Sequence, residues 1–513
     1  MRRRLWIPVQ FCTRPARLGK CGFRRGSYGS FRYSSTEARQ WSTPLARNLA
    51  EAIKTTGPIP LASYMRQCLT SPHGGYYTSS QDGHDQFGRK GDFITSPEIS
   101  QIFGELIGVW IVAEWMAQGQ KSRGVELIEV GPGRGTLMDD VLRTMRNFKP
   151  LASSIETIYM VEASSSLREA QERLLCGDTS VGEDKEGFKS TSKTLGVPMV
   201  WAEDIRFVPK GKLSKPNRMA TANIKTHSNF FKDPSKSPFI IAHEFFDALP
   251  IHAFQSVPPS QPTLITSTTI PPPRTSTTPQ WRELLVTPTP LNSTHTTLST
   301  PRSQRHTGAP PEFQLSLAKA STPHSLLLPE TSQRYKALKS RPGATIEICP
   351  EGQSYASEFA RRIGGDAGKS ASGAALILDY GPASTIPVNS LRGIRAHKTV
   401  SPFSYPGLVD LSADVDFTAL AEAALSASST VEVHGPIEQG SFLQAMGIRE
   451  RAEQLLMGVQ KGDDEKKERL EGGWRRLVER GVGGMGKVYK AMAIVPLSGG
   501  KKRPVGFGGD VEV

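Results

Sequence analysis

The stretch Glu126-Leu127-Ile128-Glu129-Val130-Gly131-Pro132-Gly133-Arg134-Gly135-Thr136 decides the fold. Val125–Val130 reads as an apolar strand and Thr136–Arg146 as a helix, so Gly131, Gly133 and Gly135 fall in the turn that joins them. Ligands bind open α/β sheets at such strand ends, because the turn leaves a crevice and the helix N-terminus offers free N–H groups. Glycine lets a backbone approach a ligand where a Cβ would clash. Dinucleotide enzymes space these glycines as Gly-x-Gly-x-x-Gly, whereas here the spacing is Gly-x-Gly-x-Gly and Thr136 follows. A tight strand-to-helix turn without a ligand is the plainer alternative.

Outward from this turn, strands and helices alternate. Thr157–Val161 reads as a second strand and Ser164–Leu175 as a helix, with further strands at Pro198–Trp201, Phe239–Ala242, Ala374–Leu378 and Val488–Val495. That order predicts an α/β fold, a Rossmann-like doubly wound sheet that is largely parallel. Upstream, residues 41–124 read as a helical, substrate-side region. Leu45, Leu49 and Ile53 share one helix face that Gly57-Pro58 closes, and a second helix runs from Pro60 through Leu69. Ser96-Pro97-Glu98 supplies a capping hydroxyl, a first-turn proline and an acid. Ile99, Ile102, Phe103, Leu106 and Trp110 then predict one long core helix, whose N-terminus suits a nearby anionic group. Residues 125–255 and 341–495 form the expected core, with 496–513 a flexible tail. Residues 177–197 and 210–237 are polar inserts, and 256–340 is rich in Pro, Thr and Ser. Such a composition predicts a mostly disordered insert, with Trp281–Val286 as a candidate extra strand.

Charge and cysteine usage narrow the function. The net charge is +14, but eight arginines and Lys20 lie in residues 1–36, before the first acid at Glu37. The remainder carries an ordinary +5, which argues against a nucleic-acid partner. An Arg-rich, acid-free, Ser-containing start has the composition of a mitochondrial presequence, assigned to residues 1–40; a basic arm that binds RNA or anionic lipid is the alternative. No run of about 18 apolar residues marks a membrane span, so the expectation is a soluble protein, or one held peripherally at the inner membrane. The five cysteines show no Cys-x-x-Cys or Cys/His spacing of a zinc site, so no metal is expected.

Five carboxylates and a histidine complete the candidate site. The spacing of the glycine turn, with Glu129 before it, resembles motif I of class I methyltransferases, where the turn takes the amino-acid end of S-adenosylmethionine. Glu162 ends the second strand, where a carboxylate can accept both ribose hydroxyls; a surface capping acid is the alternative. Asp204, after the third strand, is a candidate for the adenine amino group. After the fourth strand comes His243-Glu244-Phe245-Phe246-Asp247-Ala248-Leu249-Pro250. A carboxylate fork beside aromatics suits a guanidinium, which must be bound, aligned and deprotonated. Glu244 is the first candidate for that task, Asp247 the second, and His243 a proton relay. A capping Asp247 and a core His243 are the structural alternatives. Arg392, Arg395, His397 and Lys398 cluster as either a grip for an acidic surface or the cofactor carboxylate, or a solvated basic loop.

These stretches, with Gly91–Ser100, Leu378-Asp379-Tyr380-Gly381, Leu391–Lys398 and Asp410–Phe417, make the chain resemble the MidA-type protein arginine methyltransferases. That family includes a mitochondrial assembly factor of respiratory complex I. The resemblance implies a class I fold, S-adenosyl-L-methionine as cofactor, and symmetric dimethylation of an arginine on a core complex I subunit in the matrix. The family pattern has asparagine where His243 stands, and no counterpart of the Pro/Thr/Ser insert. The residues by themselves leave three other readings open: a noncatalytic assembly chaperone, a small-molecule methyltransferase, and a NAD-linked oxidoreductase that the glycine spacing disfavours.

Overall fold

The computed structural model describes residues 39–78, 92, 94–177, 182–184, 187–210, 236–259, 278–294, 310–365, 370–460, 462–499 and 502–508. The presequence assignment lies outside them except for Arg39 and Gln40.

The central sheet is built from seven principal strands: β1 Val125–Val130, β2 Ile155–Val161, β3 Pro198–Ala202, β4 Ser237–His243, β5 Ala374–Tyr380, β6 Val431–Glu438 and β7 Tyr489–Pro496. They lie in the order β6-β7-β5-β4-β1-β2-β3. The pairs from β5 through β4, β1 and β2 to β3 are parallel. β7 runs antiparallel to both β5 and β6. The short strands Gly187–Thr191 and Gly182–Asp184 extend the β3 edge in antiparallel fashion. The expected doubly wound core is therefore present, with β6 unforeseen because Gly435-Pro436 interrupts its apolar pattern.

Both faces of this sheet are buried, as parallel strands require. On β5, Leu376 and Leu378 point into one core and Ala375 and Ile377 into the other. The first core is closed by the helices Gln101–Ala117 and Thr136–Met145; the second by Pro350–Gly364 and Phe417–Ala427. The helix Asp464–Val478 is rich in charged residues and largely exposed. The expected single helix from Ser96 is instead two. Ser96–Ile99 is one turn, capped by Thr95, and Ser100 is extended before Gln101–Ala117 resumes. The cause is local: the Ser100 side chain accepts the N–H of Ile102 and restarts the helix as a new cap. Among the described residues, no helix is long and apolar enough to cross a membrane.

A second, antiparallel sheet corrects the expected insert and the expected core boundaries. It joins Ile59–Pro60, His252–Val257, Gln280–Pro288, Phe313–Leu317 and Thr345–Ile348. Much of 256–340 is thus ordered, including the helices Pro323–Leu327 and Gln333–Leu338. Composition misled here because the apolar residues are few but large: Trp281, Phe313 and Tyr335 are all fully buried. Residues 260–277 and 295–309 lie outside the described set. The helices Pro44–Thr56 and Leu61–Thr70 pack on one face of this sheet. Arg392–Arg395, Lys398–Val400 and Asp410–Ser412 form a small third sheet. The expected tail is also partly packed, since Phe507 is buried against Phe442.

Candidate active site

At the carboxyl ends of β1–β4 a cavity of about 430 Å³ opens, within the range of ligand sites. Gly131, Gly133, Glu129, Glu162, Asp204 and Glu244 all border it, and His243 joins them. Sequence positions from 129 to 244 thus converge because parallel strands deliver their ends to one edge.

The glycine turn forms one wall. Gly131, Gly133 and Gly135 have φ of 68°, 53° and 84°, the left-handed region that L side chains rarely adopt. A Cβ on Gly131 would lie 2.6 Å from Cδ2 of Phe245. Glu129 is buried beneath this turn, and burial, with Glu162 nearby, pushes its carboxyl up to about 8. Its Oε2 has no hydrogen-bond partner. An orphaned carboxylate oxygen is costly unless a ligand donates to it. Glu162 accepts the Ser164 N–H at 2.8 Å, and burial pushes it up to about 7. Gln171, which the sequence reading overlooked, ties this wall together. Its Nε2 donates to the Gly133 carbonyl at 2.7 Å and to Glu162 at 3.4 Å, and its Oε1 accepts from Trp201. The available signal was a glutamine between Leu167 and Leu175 on one helix face.

Asp204 is more committed than expected. Both its oxygens take the Arg206 guanidinium, and Oδ1 also accepts the Arg206 N–H. These donors hold its carboxyl below the usual range despite burial, and the Tyr355 hydroxyl is 3.4 Å from Oδ2. Tyr355 meets Phe245 edge-on at 4.9 Å, giving the cavity an aromatic wall.

The opposite wall is the turn after β4. Glu244 has φ 49°, a strained conformation for a non-glycine residue. Its N–H bonds the Leu378 carbonyl, and the Asp379 carboxylate accepts the next two N–H groups, of Phe245 at 3.1 Å and Phe246 at 2.9 Å. Asp379 therefore fixes this turn from the neighbouring strand. The Glu244 carboxyl is pushed well up by burial and by Asp247, against the Ser96 N–H and the Tyr489 hydroxyl. The acidic side chain that meets the Ser96 N–H is thus Glu244. Its Oε1 lacks a hydrogen-bond partner. His243 Nε2 lies 3.3 Å from that oxygen without an aligned bond, and burial drives the imidazole down to about 3. A ring so reluctant to be protonated argues against the relay expected of it.

Asp247 stands apart from the cavity wall. It accepts the Tyr380 hydroxyl and packs behind the turn, because the 3-10 turn Phe246–Ala248 points it at β5. Arg392 is likewise used internally, bonded to Asp414 at 2.7 Å and stacked on Tyr380 at 4.5 Å. It neither borders the cavity nor offers a free grip.

Known proteins supply the comparison. A family model described as "Putative S-adenosyl-L-methionine-dependent methyltransferase" matches residues 106–437. The chain is 35% identical to the rat protein arginine methyltransferase NDUFAF7, mitochondrial, over 88% of this chain and 85% of that one. It is 34% identical to the human protein of the same name, over 84% and 79%, and 33% identical to the Drosophila homolog, over 90% and 87%. A Burkholderia thailandensis crystal structure containing S-adenosyl-homocysteine shares the fold, at TM-score 0.60 and 20% identity over 91% of this chain and 95% of that one. The left-handed glycine turn and the orphaned Glu129 oxygen beneath it fit such a cofactor's amino-acid end. With its strand order, its cavity and these relatives, the chain belongs to the MidA-type family of S-adenosyl-L-methionine-dependent methyltransferases.

Proposed function

We propose that this protein methylates an arginine side chain of a protein substrate in mitochondria. One observation carries the reading: two buried carboxylates on opposite walls of one cavity, Glu129 and Glu244, each keep an oxygen without a partner. Two cations would satisfy them, the ammonium of the cofactor at Glu129 and a guanidinium at Glu244. The bound cofactor supplies an electrophilic methyl on its sulfonium. The chain's own residues do the rest. Glu162 receives the ribose hydroxyls, and the glycine turn makes room for the methionine portion. The strained turn at Glu244, held by Asp379, fixes the carboxylate so that it aligns one guanidinium nitrogen for in-line attack. Its raised affinity for protons suits Glu244 to take the proton the guanidinium gives up. His243, kept neutral by burial, packs beside that carboxylate, and Asp247 braces the turn through Tyr380.

The relatives' mitochondrial names and the basic start of the chain support delivery to the matrix. The family resemblance supports symmetric dimethylation of a core complex I subunit as the finer assignment. Incubating the protein with tritiated cofactor and complex I subunits tests this. Label recovered as symmetric dimethylarginine is the expected result. Asymmetric product would overturn the finer assignment alone. Cofactor binding with no label in arginine would leave the chaperone or small-molecule reading instead.

A further inference from the structure

Away from the cavity, the second sheet brings together three side chains that the reaction does not use. His252 lies on His252–Val257, Glu283 on the adjacent strand Gln280–Pro288, and His324 in the helix Pro323–Leu327. His252 Nδ1 is 2.8 Å and His324 Nδ1 3.4 Å from the same oxygen, Glu283 Oε1. The three ligand-type atoms all fall within 4.8 Å of one another, and none of the three residues borders the cavity. We propose that His252, Glu283 and His324 form a binding site for a divalent transition-metal ion, Zn²⁺ in the cell, that staples the helical segment 323–338 onto the second sheet.

The chemistry of the donor set selects the ion class. Two imidazoles and one carboxylate suit Zn²⁺ and its neighbours, whereas Mg²⁺ and Ca²⁺ take oxygen ligands. Zinc bonds of about 2.0–2.2 Å in a tetrahedron place ligand atoms roughly 3.4 Å apart. The His324–Glu283 spacing already meets that figure, and the His252–Glu283 spacing needs to open by about 0.6 Å. Each ring offers Nδ1 to the ion and keeps its proton on Nε2. The carboxylate is oriented from behind. Glu283 is completely buried, and its second oxygen accepts the Thr322 hydroxyl, whose own oxygen caps the helix carrying His324. Such an outer partner fixes a ligand for its ion. His252 is further held against Phe254, with ring centroids 6.2 Å apart. The His324 side chain is 45% exposed, which leaves room for a water as fourth ligand. Sequence spacing gave no warning, because the ligands lie 31 and 41 residues apart and only the sheet register unites them.

The test uses the full mature chain without a polyhistidine tag, stripped with chelator and titrated with Co²⁺, a visible substitute for Zn²⁺. One equivalent per chain is expected, with visible absorption bands and a rise in melting temperature that excess Zn²⁺ displaces or reproduces. His324→Ala, at an exposed ligand, is expected to lose the bands and weaken the ion by more than the roughly 10–100-fold that a lost outer partner costs. It should keep its S-adenosylhomocysteine affinity, which serves as the folding control. No Co²⁺ uptake by the wild type, or uptake unchanged in His324→Ala, would overturn the proposal. A His252→Gln variant repeats the test from the buried side.

Discussion

Along β1 and β2 the cavity wall is local: the glycine turn, Glu129 before it and Glu162 at the next strand end all lie within 34 residues. Across the cavity, the wall at Glu244 is assembled from afar. Its backbone is held by Asp379 on β5, and its carboxylate is faced by Ser96 and by Tyr489 at the start of β7. The first wall resembles any nucleoside site, whereas the second is held together by contacts far apart in sequence. On the proposed reading, cofactor binding resides in a contiguous motif, whereas substrate chemistry depends on long-range packing. Variants on the two walls should therefore fail in different ways.

The largest separation is expected from Glu244→Gln, which keeps the shape and removes the base. Methyl transfer should fall by about 10²–10⁴-fold, the usual worth of a positioned base, while cofactor affinity stays within a few-fold. Near wild-type turnover would end Glu244's assignment. Gly131→Ala should do the reverse. Its Cβ would meet Phe245 at 2.6 Å in a left-handed conformation, a strain of about 1–3 kcal/mol. Relieving it would shift the turn and weaken S-adenosylhomocysteine about ten- to hundredfold by calorimetry. Asp379→Asn should slow transfer about tenfold, an effect on alignment, with cofactor affinity retained and an unchanged product. An equal loss of both would place Asp379 in general stability instead.

A further contrast concerns pH. Burial raises Glu129 from 4.5 in the open chain to about 8 in the fold. Between those values the folded protein holds a proton that the unfolded chain has released, so stability falls as pH rises. The slope from this group is at most about 1.4 kcal/mol per pH unit. Melting temperature measured from pH 5 to 8 should therefore decline, and Glu129→Gln should flatten the decline. An identical slope in the variant would show that other groups carry it.

The central sheet was legible because its parallel strands are short, mostly apolar runs, unbroken in Phe239–Ala242 and Ala374–Leu378. The second sheet was not, because its strands hide among prolines and threonines and are fixed by a few large residues such as Trp281 and Phe313. The same contrast holds at the site. Glu129, Glu162, His243 and Glu244 border the cavity where strand-end logic put them. That logic ranked Glu244 ahead of Asp247 but could not foresee that Asp247 points away from the cavity, since direction after a strand depends on a 3-10 turn that has no sequence period. Nor could it supply Gln171 or Asp379, whose roles exist only through partners 38 and 134 residues away.

One measurement bears most directly on the two-walled cavity: calorimetric titration of the wild type, Gly131→Ala and Glu244→Gln with S-adenosylhomocysteine. One site per chain is expected in the wild type, with a similar affinity in Glu244→Gln and a clear loss in Gly131→Ala. Absence of binding in the folded wild type, or loss in Glu244→Gln with Gly131→Ala unaffected, would contradict that expectation.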